Sequence, residues 1–160
     1  MKKKIFFKFL IGLFILTVSS CDNNNLDDYE EGYISGSFLC DKVVNGHPTD
    51  TLRGFCILLV NRENSKVTYY PMDIYTFSLP DGSITFPPEI LNMKYDGANC
   101  GPMFFPDSLI PKYKFLFRFR NSSENEKNEF VCGPCFTMEA GFPWYNYKQV
   151  TITECIVNPL

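Results

Sequence analysis

The sequence has little of the residues from which most catalytic sites are built. His47 is its only histidine, and it stands beside Pro48, where a lone histidine is usually a solvated turn residue. One histidine excludes a metal site made of several, and it argues against a Ser-His-Asp triad, which needs a histidine placed as its base. Carboxylates such as Asp73, Glu139 and Glu154 occur in any β-protein and form no pattern of their own. We therefore expect a protein that is not an enzyme and that holds no metal or cofactor.

The chain also lacks an excess of positive charge. It has 15 lysines and arginines against 18 aspartates and glutamates, for a formal net charge of −3. Nucleic acids and anionic lipid surfaces are bound by clustered basic residues. The charge balance therefore predicts that nucleic acid is not a partner of this protein.

Helix-type periodicity is missing as well, because no stretch sustains an apolar repeat of 3.6 residues. In its place the chain has 16 phenylalanines, 9 tyrosines and 11 prolines, which favour short strands and turns. We predict an all-β fold, either a small barrel or a β-sandwich of five to seven strands, with a turn or a longer loop at Asn45-Gly46 and Pro48 and one helical turn near Pro88. The predicted strands cover residues 33–44, 52–61, 67–74, 84–86, 113–120, 130–138 and 148–157.

Two of the predicted strands show the period of two that a half-buried strand has. Phe115, Phe117 and Phe119 alternate with mostly charged side chains, which predicts one face toward the core and one toward water. In the first strand, Ile34 and Phe38 are predicted to share a face in the same way.

The first 20 residues have the layout of a secretory signal. Lysines at positions 2 to 4 precede an apolar run over 9–18, and two small residues, Ser19 and Ser20, follow before Cys21. The run is shorter than the roughly 20 residues that a transmembrane helix needs. A cysteine at this point resembles the lipobox of bacterial lipoproteins. That resemblance implies that residues 1–20 are cleaved as a signal helix and that Cys21 becomes the acylated first residue, whose several chains anchor the protein stably.

Residues 21–32 follow as an acidic segment with few apolar side chains. Asp27, Asp28, Glu30 and Glu31 concentrate negative charge there, and a segment that buries so little apolar surface is predicted to be a disordered tether. Loss of a leader with four lysines and no acids changes the formal net charge from −3 to −7. The acidic stretch is similar to that of outer-membrane lipoproteins, whereas an aspartate directly after the cysteine, as Asp22 is, marks inner-membrane retention in other bacteria. Asp22 alone does not decide between the two membranes of the cell envelope, and the repeated acids favour the outer membrane and its outer face. Residues 33–160 remain as a single β-domain.

Six cysteines remain once Cys21 carries lipid. An exported chain meets an oxidising compartment, so we expect the domain to be stapled by up to three disulfides. Sequence alone does not choose between the pairings. The candidates are Cys40, Cys56, Cys100, Cys132, Cys135 and Cys155.

Cys132-Gly-Pro-Cys135 has the letters of the thioredoxin redox motif. That chemistry needs a helix after the first cysteine to stabilise its thiolate, whereas Gly141 and Pro143 interrupt the residues that follow. We expect structural disulfides here and keep a thiol-redox envelope protein as the alternative function. A zinc site is disfavoured, because a strong signature has two Cys-x-x-Cys pairs and this chain has one.

An aromatic stretch near the C-terminus, with Trp144, Tyr145 and Tyr147, is the candidate ligand surface. Aromatic planes beside Asn146 would suit stacking on sugar rings. They would equally suit a core or a plug at one end of a barrel, which is the commoner place for Trp and Tyr in a small domain.

The strand order resembles that of OB-type domains of small surface lipoproteins. An OB-like barrel often binds its ligand with one face and its loops. The resemblance implies a lipid-anchored, non-catalytic binding or structural module, with the membrane as partner through Cys21 and an envelope protein or glycan as ligand. The residues that carry it are Ile34-Ser-Gly36, Gly54-Phe-Cys-Ile-Leu-Leu59, Tyr70-Pro71, Tyr113-Lys-Phe-Leu-Phe117 and Val150-Thr-Ile-Thr153.

Overall fold

The computed structural model describes residues 28–60, 70–80, 84–91, 100–132 and 141–157. Strands dominate these ranges. One four-residue helix, α1 (Pro88–Leu91), and 3₁₀ helices at Ile110–Tyr113 and Trp144–Asn146 lie between them. Within the described ranges, no helix is long and apolar enough to cross a membrane. The strands are β1 (Glu30–Val44), β2 (His47–Leu59), β3 (Ile74–Thr76), β4 (Met103–Phe104), β5 (Lys114–Asn121), β6 (Phe130–Val131) and β7 (Lys148–Val157).

Five of the strands close into a ring. β1 pairs with β2, β2 with β3, β3 with β7, β7 with β5, and β5 returns to β1. Each of these pairs is antiparallel except β3 with β7, which is parallel. The two-residue strands β4 and β6 also pair with β1, at positions beyond those that β5 occupies. The predicted all-β fold of five to seven strands is confirmed, and of the two predicted architectures, an OB-like barrel and a β-sandwich, the closed ring is that of a barrel.

A two-residue turn joins β1 to β2. Asn45 and Gly46 have positive φ angles of 52° and 78°, the conformation that a type I′ hairpin turn requires at both central positions. Asparagine and glycine adopt it at the least steric cost. The predicted turn is confirmed, and the paired strands continue up to it, with Val44 opposite His47.

A β-bulge in β1 divides the buried side chains between two cores. The register with β2 shifts between Ile34 and Gly36, and an extra residue in a strand moves the following side chains to the other face. Ile34 therefore lies in the first core and Phe38 in the second. The prediction that these two side chains share a face is wrong for this reason.

The first core fills the ring, because all five ring strands contribute to it. The second core lies on the outer side of β2 and β3, where Cys56 and Tyr75 alternate with Ile57 and Ile74. Loop residues such as Phe142 and Tyr147 complete the second core. The strand residues buried in the first core are Ile34, Ile57, Ile74, Phe115, Phe117, Val150 and Ile152.

The structure confirms some predicted elements and corrects others. Residues 148–157 form β7 as predicted, the helical turn near Pro88 is α1, and Phe115 and Phe117 on β5 are both 0% exposed. Residues 84–86 form no strand. β3 begins only at Ile74, because a proline at position 71 cannot donate to a strand ladder.

The acidic segment predicted as a disordered tether is ordered from residue 28 onward. β1 begins at Glu30, where its backbone pairs with β5. Lys114 neutralises Glu31 at 2.6 Å, and the Tyr29 hydroxyl donates a hydrogen bond of 2.6 Å to Glu154. These partners on β5 and β7 supply the contacts that the composition of the segment did not suggest.

The other predictions fall on parts of the chain that are not described. Residues 1–27, which include the predicted signal peptide and the lipidation site Cys21, lie outside the described residues. So do residues 61–69 and residues 133–140, and the second of these ranges includes Cys135. The lipid anchor therefore stays a prediction.

Candidate functional site

A cleft opens where β5 ends and β7 begins. It has a volume of about 490 Å³, within the range of roughly 300–1,000 Å³ that small-molecule sites have. We call it the β5–β7 cleft. Its walls come from β3, from the loop after β5 and from the start of β7. The residues that line it are Tyr75, Asn121, Ser122, Lys127, Asn128, Glu129, Tyr147, Lys148 and Gln149.

Two tyrosines on neighbouring elements line the cleft. The parallel pairing of β3 with β7 sets Tyr75 beside Gln149, and Tyr147 immediately precedes β7. Tyr75 is 7% exposed and Tyr147 is 8% exposed. Tyr147 stacks on Phe142 at a ring-centroid distance of 5.6 Å, and Tyr75 meets Phe38 edge to face at 5.9 Å. Packing in the second core thus fixes both rings.

The hydroxyl groups of these two tyrosines are not used by the fold. Within the described residues, neither hydroxyl donates or accepts a hydrogen bond, and neither is sealed from solvent. A buried tyrosine normally finds a partner for its O–H. Burial raises the pKa of both Tyr75 and Tyr147, so the hydroxyls stay protonated and can both donate and accept.

The turn that leads into the cleft is held by one carboxylate. The Ser123 N–H and hydroxyl donate to Glu126 at 3.0 and 2.7 Å, and Arg120 donates to both of its oxygens. The bonding resembles half of a capping box, which the spacing Ser-x-x-Glu signals in a sequence. Arg120, and then Ser123, hold the pKa of Glu126 at about 2, below its ordinary value of 4.5.

Gln149 ties this turn to β7. Its side-chain oxygen accepts from the Asn128 N–H at 3.2 Å, and its side-chain nitrogen donates to the Glu126 carbonyl at 3.1 Å. The side-chain amides of Asn121 and Asn128, in contrast, make no hydrogen bond within the described part of the chain. Gln149 therefore positions the loop, and the two asparagine amides stay available to a ligand.

The charges around the cleft largely cancel. Lys127 pairs with Glu124 at 2.5 Å, and Lys148 and Glu129 bring opposite charges to the lining. Counted together with Glu124, which lies outside the lining, the two lysines and the two glutamates carry no net charge, and a site without a net charge has no electrostatic preference for a cation or an anion. The cleft thus offers hydrogen-bond donors and acceptors, together with two aromatic rings, to an uncharged ligand.

The structure separates the three aromatic residues that were predicted as one ligand surface. Trp144 packs on Phe38 at a centroid distance of 4.6 Å, and its ring N–H donates to the Cys100 carbonyl at 3.3 Å. Tyr147 lines the cleft. Tyr145 points to solvent and is 89% exposed. Trp144 belongs to the second core, as the alternative interpretation of this stretch had it.

Three of the candidate cysteines are disulfide-bonded, and two are free thiols. Cys40 and Cys132 form a disulfide that joins positions 92 residues apart, and Cys100 is disulfide-bonded as well. Cys56 and Cys155 are free thiols, so the six candidates form fewer disulfides than the maximum of three that was predicted. The two cannot meet, because Cys56 lies in the second core and Cys155 packs against the first.

Neither free thiol forms part of a metal site. The described ranges contain no group of three or more His, Cys, Asp or Glu side chains that could hold a metal ion. Burial raises the pKa of the Cys56 thiol well above its ordinary value, which keeps it protonated and poor as a ligand or nucleophile.

Sequence reasoning missed most of the cleft. Tyr75 was not singled out, because its place beside Gln149 depends on the pairing of β3 with β7. A usable signal was present in the loop, where Ser123-Glu-Asn-Glu126 has the spacing of a capping box. That spacing predicts an ordered turn between the predicted strands 113–120 and 130–138.

Comparison with known proteins identifies no relative. No protein-family model, no curated protein and no solved structure matches this chain. What the cleft does has to be inferred from its own residues.

Proposed function

We propose that this protein is a lipid-anchored, non-catalytic binding module of the cell envelope, tethered through Cys21 and binding its ligand in the β5–β7 cleft. The observation that carries the proposal is a pair of tyrosines, Tyr75 and Tyr147, that line the cleft and whose hydroxyls have no hydrogen-bond partner among the described residues. Unsatisfied groups in a fixed position are what a ligand-binding wall presents.

The anchor is supported by the sequence of the leader. Three lysines, an apolar run and two small residues precede Cys21, and a cysteine at the cleavage point is the residue that lipoproteins acylate. Several acyl chains on one residue give stable membrane attachment. The acidic segment that follows favours the outer membrane and its surface as the location.

The lining of the cleft supports binding over catalysis. Ser122 of the lining has its hydroxyl 3.0 Å from the Thr151 hydroxyl, and a threonine cannot activate a serine as a general base would. Gln149 is committed to holding the loop. Among the described residues, the lining thus contains groups that recognise a ligand but no activated nucleophile.

The thiol-redox alternative gains no support from the disulfide. In a redox Cys-x-x-Cys motif the two cysteines of the motif pair with each other. Cys132 is instead bonded to Cys40 on β1, and both are almost fully buried. A buried bond between distant parts of the chain is typical of a structural staple.

The anchor is tested by labelling growing cells with radioactive palmitate. We expect the wild-type protein to be labelled and to sediment with membranes, and Cys21→Ala to be unlabelled and released. Cys155→Ala, which removes a free thiol of the domain, is the matched control and should behave as the wild type does. Cleavage by proteinase added to intact cells would then support the surface location. An unlabelled wild-type protein would contradict the anchored function.

A further inference from the structure

We propose that the β5–β7 cleft binds an uncharged, hydroxyl-rich ligand, namely the end of a neutral glycan. The inference rests on the proposed binding function and adds the chemical class of the ligand. It follows from the geometry of the two tyrosines, from the unused amides and from the cancelled charges of the lining.

The two tyrosines present hydroxyls that match those of a sugar. Tyr75 and Tyr147 are more than nine-tenths buried, line the cleft, and have no hydrogen-bond partner within the described residues. A phenol hydroxyl donates one hydrogen bond and accepts others, as each sugar hydroxyl does. A ligand with several hydroxyls can therefore offer partners to both tyrosines that line this cleft.

The asparagine amides extend the same chemistry. Asn121 ends β5 and Asn128 follows the turn, and neither side-chain amide is used within the described ranges. An amide presents a donor and an acceptor side by side. Neighbouring hydroxyls of a sugar ring can engage such a pair together, whereas a purely apolar ligand would leave all of these groups unpaired at a cost.

The charge arrangement disfavours an ionic ligand. Lys127 is occupied by Glu124 at 2.5 Å, and Lys148 is balanced by Glu129 in the same lining. Burying an anion or a cation without an opposing charge is costly. A neutral ligand avoids that cost.

The cleft is formed before the ligand arrives. Ring packing fixes Tyr75 and Tyr147, and Gln149 fixes the loop through two hydrogen bonds. A preorganised site spends little of its interaction energy on ordering itself. This suits glycans, because each of their hydroxyls gains little free energy when it exchanges a hydrogen bond to water for one to the protein.

The test uses the full-length protein in detergent on an array of immobilised neutral oligosaccharides, with sialylated and sulfated oligosaccharides beside them. We expect the protein to bind neutral oligosaccharides on the array, and we expect no binding that depends on sialic acid or sulfate. For the best neutral member, titration calorimetry should show that Tyr75→Phe and Tyr147→Phe each weaken binding by roughly three- to tenfold. Their thermal midpoints should not fall, because phenylalanine keeps the packed ring and removes only an unpartnered oxygen.

Tyr145→Phe is the matched control, because Tyr145 is 89% exposed and lies outside the lining. It should bind as the wild type does. The proposal is overturned if no neutral glycan binds, if charged glycans are preferred, or if the Tyr75→Phe/Tyr147→Phe double variant keeps wild-type affinity.

A second arm separates this proposal from the binding function itself. p-Benzoylphenylalanine in place of Lys127 is photo-crosslinked in intact cells. One outcome is that no oligosaccharide on the array binds, while crosslinking captures one defined protein and the double tyrosine variant no longer captures it. In that case the ligand is a protein, and the proposal of a glycan is wrong. If neither arm shows binding, the proposed binding function fails as well.

Discussion

At the scale of single residues, Gly54 is the glycine at which the second core leaves the least room for a side chain. A Cβ placed there would lie 2.0 Å from Cζ of Phe38. The Phe38 ring cannot easily retreat, because it contacts Tyr75 at 5.9 Å and Trp144 at 4.6 Å between ring centroids. Gly54 therefore sets the position of the ring on which one wall of the cleft depends.

We expect Gly54→Ala to lower the free energy of unfolding by about 1–3 kcal/mol, as overpacking of a filled core does. Urea denaturation measures it. Gly141→Ala is the control, since a Cβ at Gly141 meets nothing within 4 Å, and it should stay within about 0.5 kcal/mol of the wild type. Equal effects of the two substitutions would contradict this account of Phe38.

Single residues also show where composition misled the sequence analysis. The acids near residue 30 predicted disorder, yet Glu31 is paired with Lys114, and Arg118 lies 4.5 Å over the ring of Tyr29. These partners are more than 80 positions away in the sequence. Local composition can predict that a segment cannot bury itself, but not that distant strands will hold it.

At the scale of elements, the turn after β5 depends on an ionised carboxylate. Glu126 accepts hydrogen bonds from Arg120 and Ser123, and its pKa is held at about 2 against an ordinary value of 4.5. Its folded pKa lies below its unfolded one, so the stability that it contributes is present above pH 4.5 and is lost as the pH falls toward 2.

We expect Glu126→Gln to lower stability at pH 7, and the difference from wild type to shrink as the pH is lowered from 4.5 toward 2. Urea denaturation across this range measures the effect, and amide exchange at Ser123 should quicken in the variant. Glu124→Gln, at a side chain 87% exposed, is the control and should show little change. If the difference in stability between the wild type and Glu126→Gln did not change with pH, ionisation of Glu126 would not be its cause.

The elements differ in how well sequence predicts them. β5 and β7 were placed closely, because alternation of large apolar residues with polar ones encodes a strand that has one wet face. β3 was misplaced, since its three residues, Ile74–Thr76, are all buried and so have no alternation to detect. Its position is set by partners on β2 and β7, which the local sequence does not reveal.

At the scale of the whole molecule, a covalent link and a closed ring hold the domain together. The Cys40–Cys132 disulfide joins β1 to the residue after β6, across 92 positions. The same closure forms the cleft, because the parallel pairing of β3 with β7 sets Tyr75 beside Gln149 and so brings Tyr75 and Tyr147 into one lining. An all-β fold could be predicted from composition, whereas this site could not, since it is a product of long-range pairing.

We expect Cys40→Ala/Cys132→Ala to lower the free energy of unfolding by about 2–5 kcal/mol, since the bond restricts a long loop of the unfolded chain. Thermal and urea unfolding of the double variant measure the loss. Cys155→Ala removes a free thiol and should cost far less. If both variants were equally stable, the disulfide would not be a structural staple.

The same disulfide has a consequence for how the protein withstands proteases. Every strand from β2 to β6, together with the Ser123–Glu126 turn, lies between its two cysteines. A protease that cuts one peptide bond anywhere in that interval leaves both fragments covalently joined. The nicked chain would migrate at full mass on a gel without reductant and as two pieces with it. A domain exposed at a cell surface could thus lose a peptide bond without shedding half of its barrel.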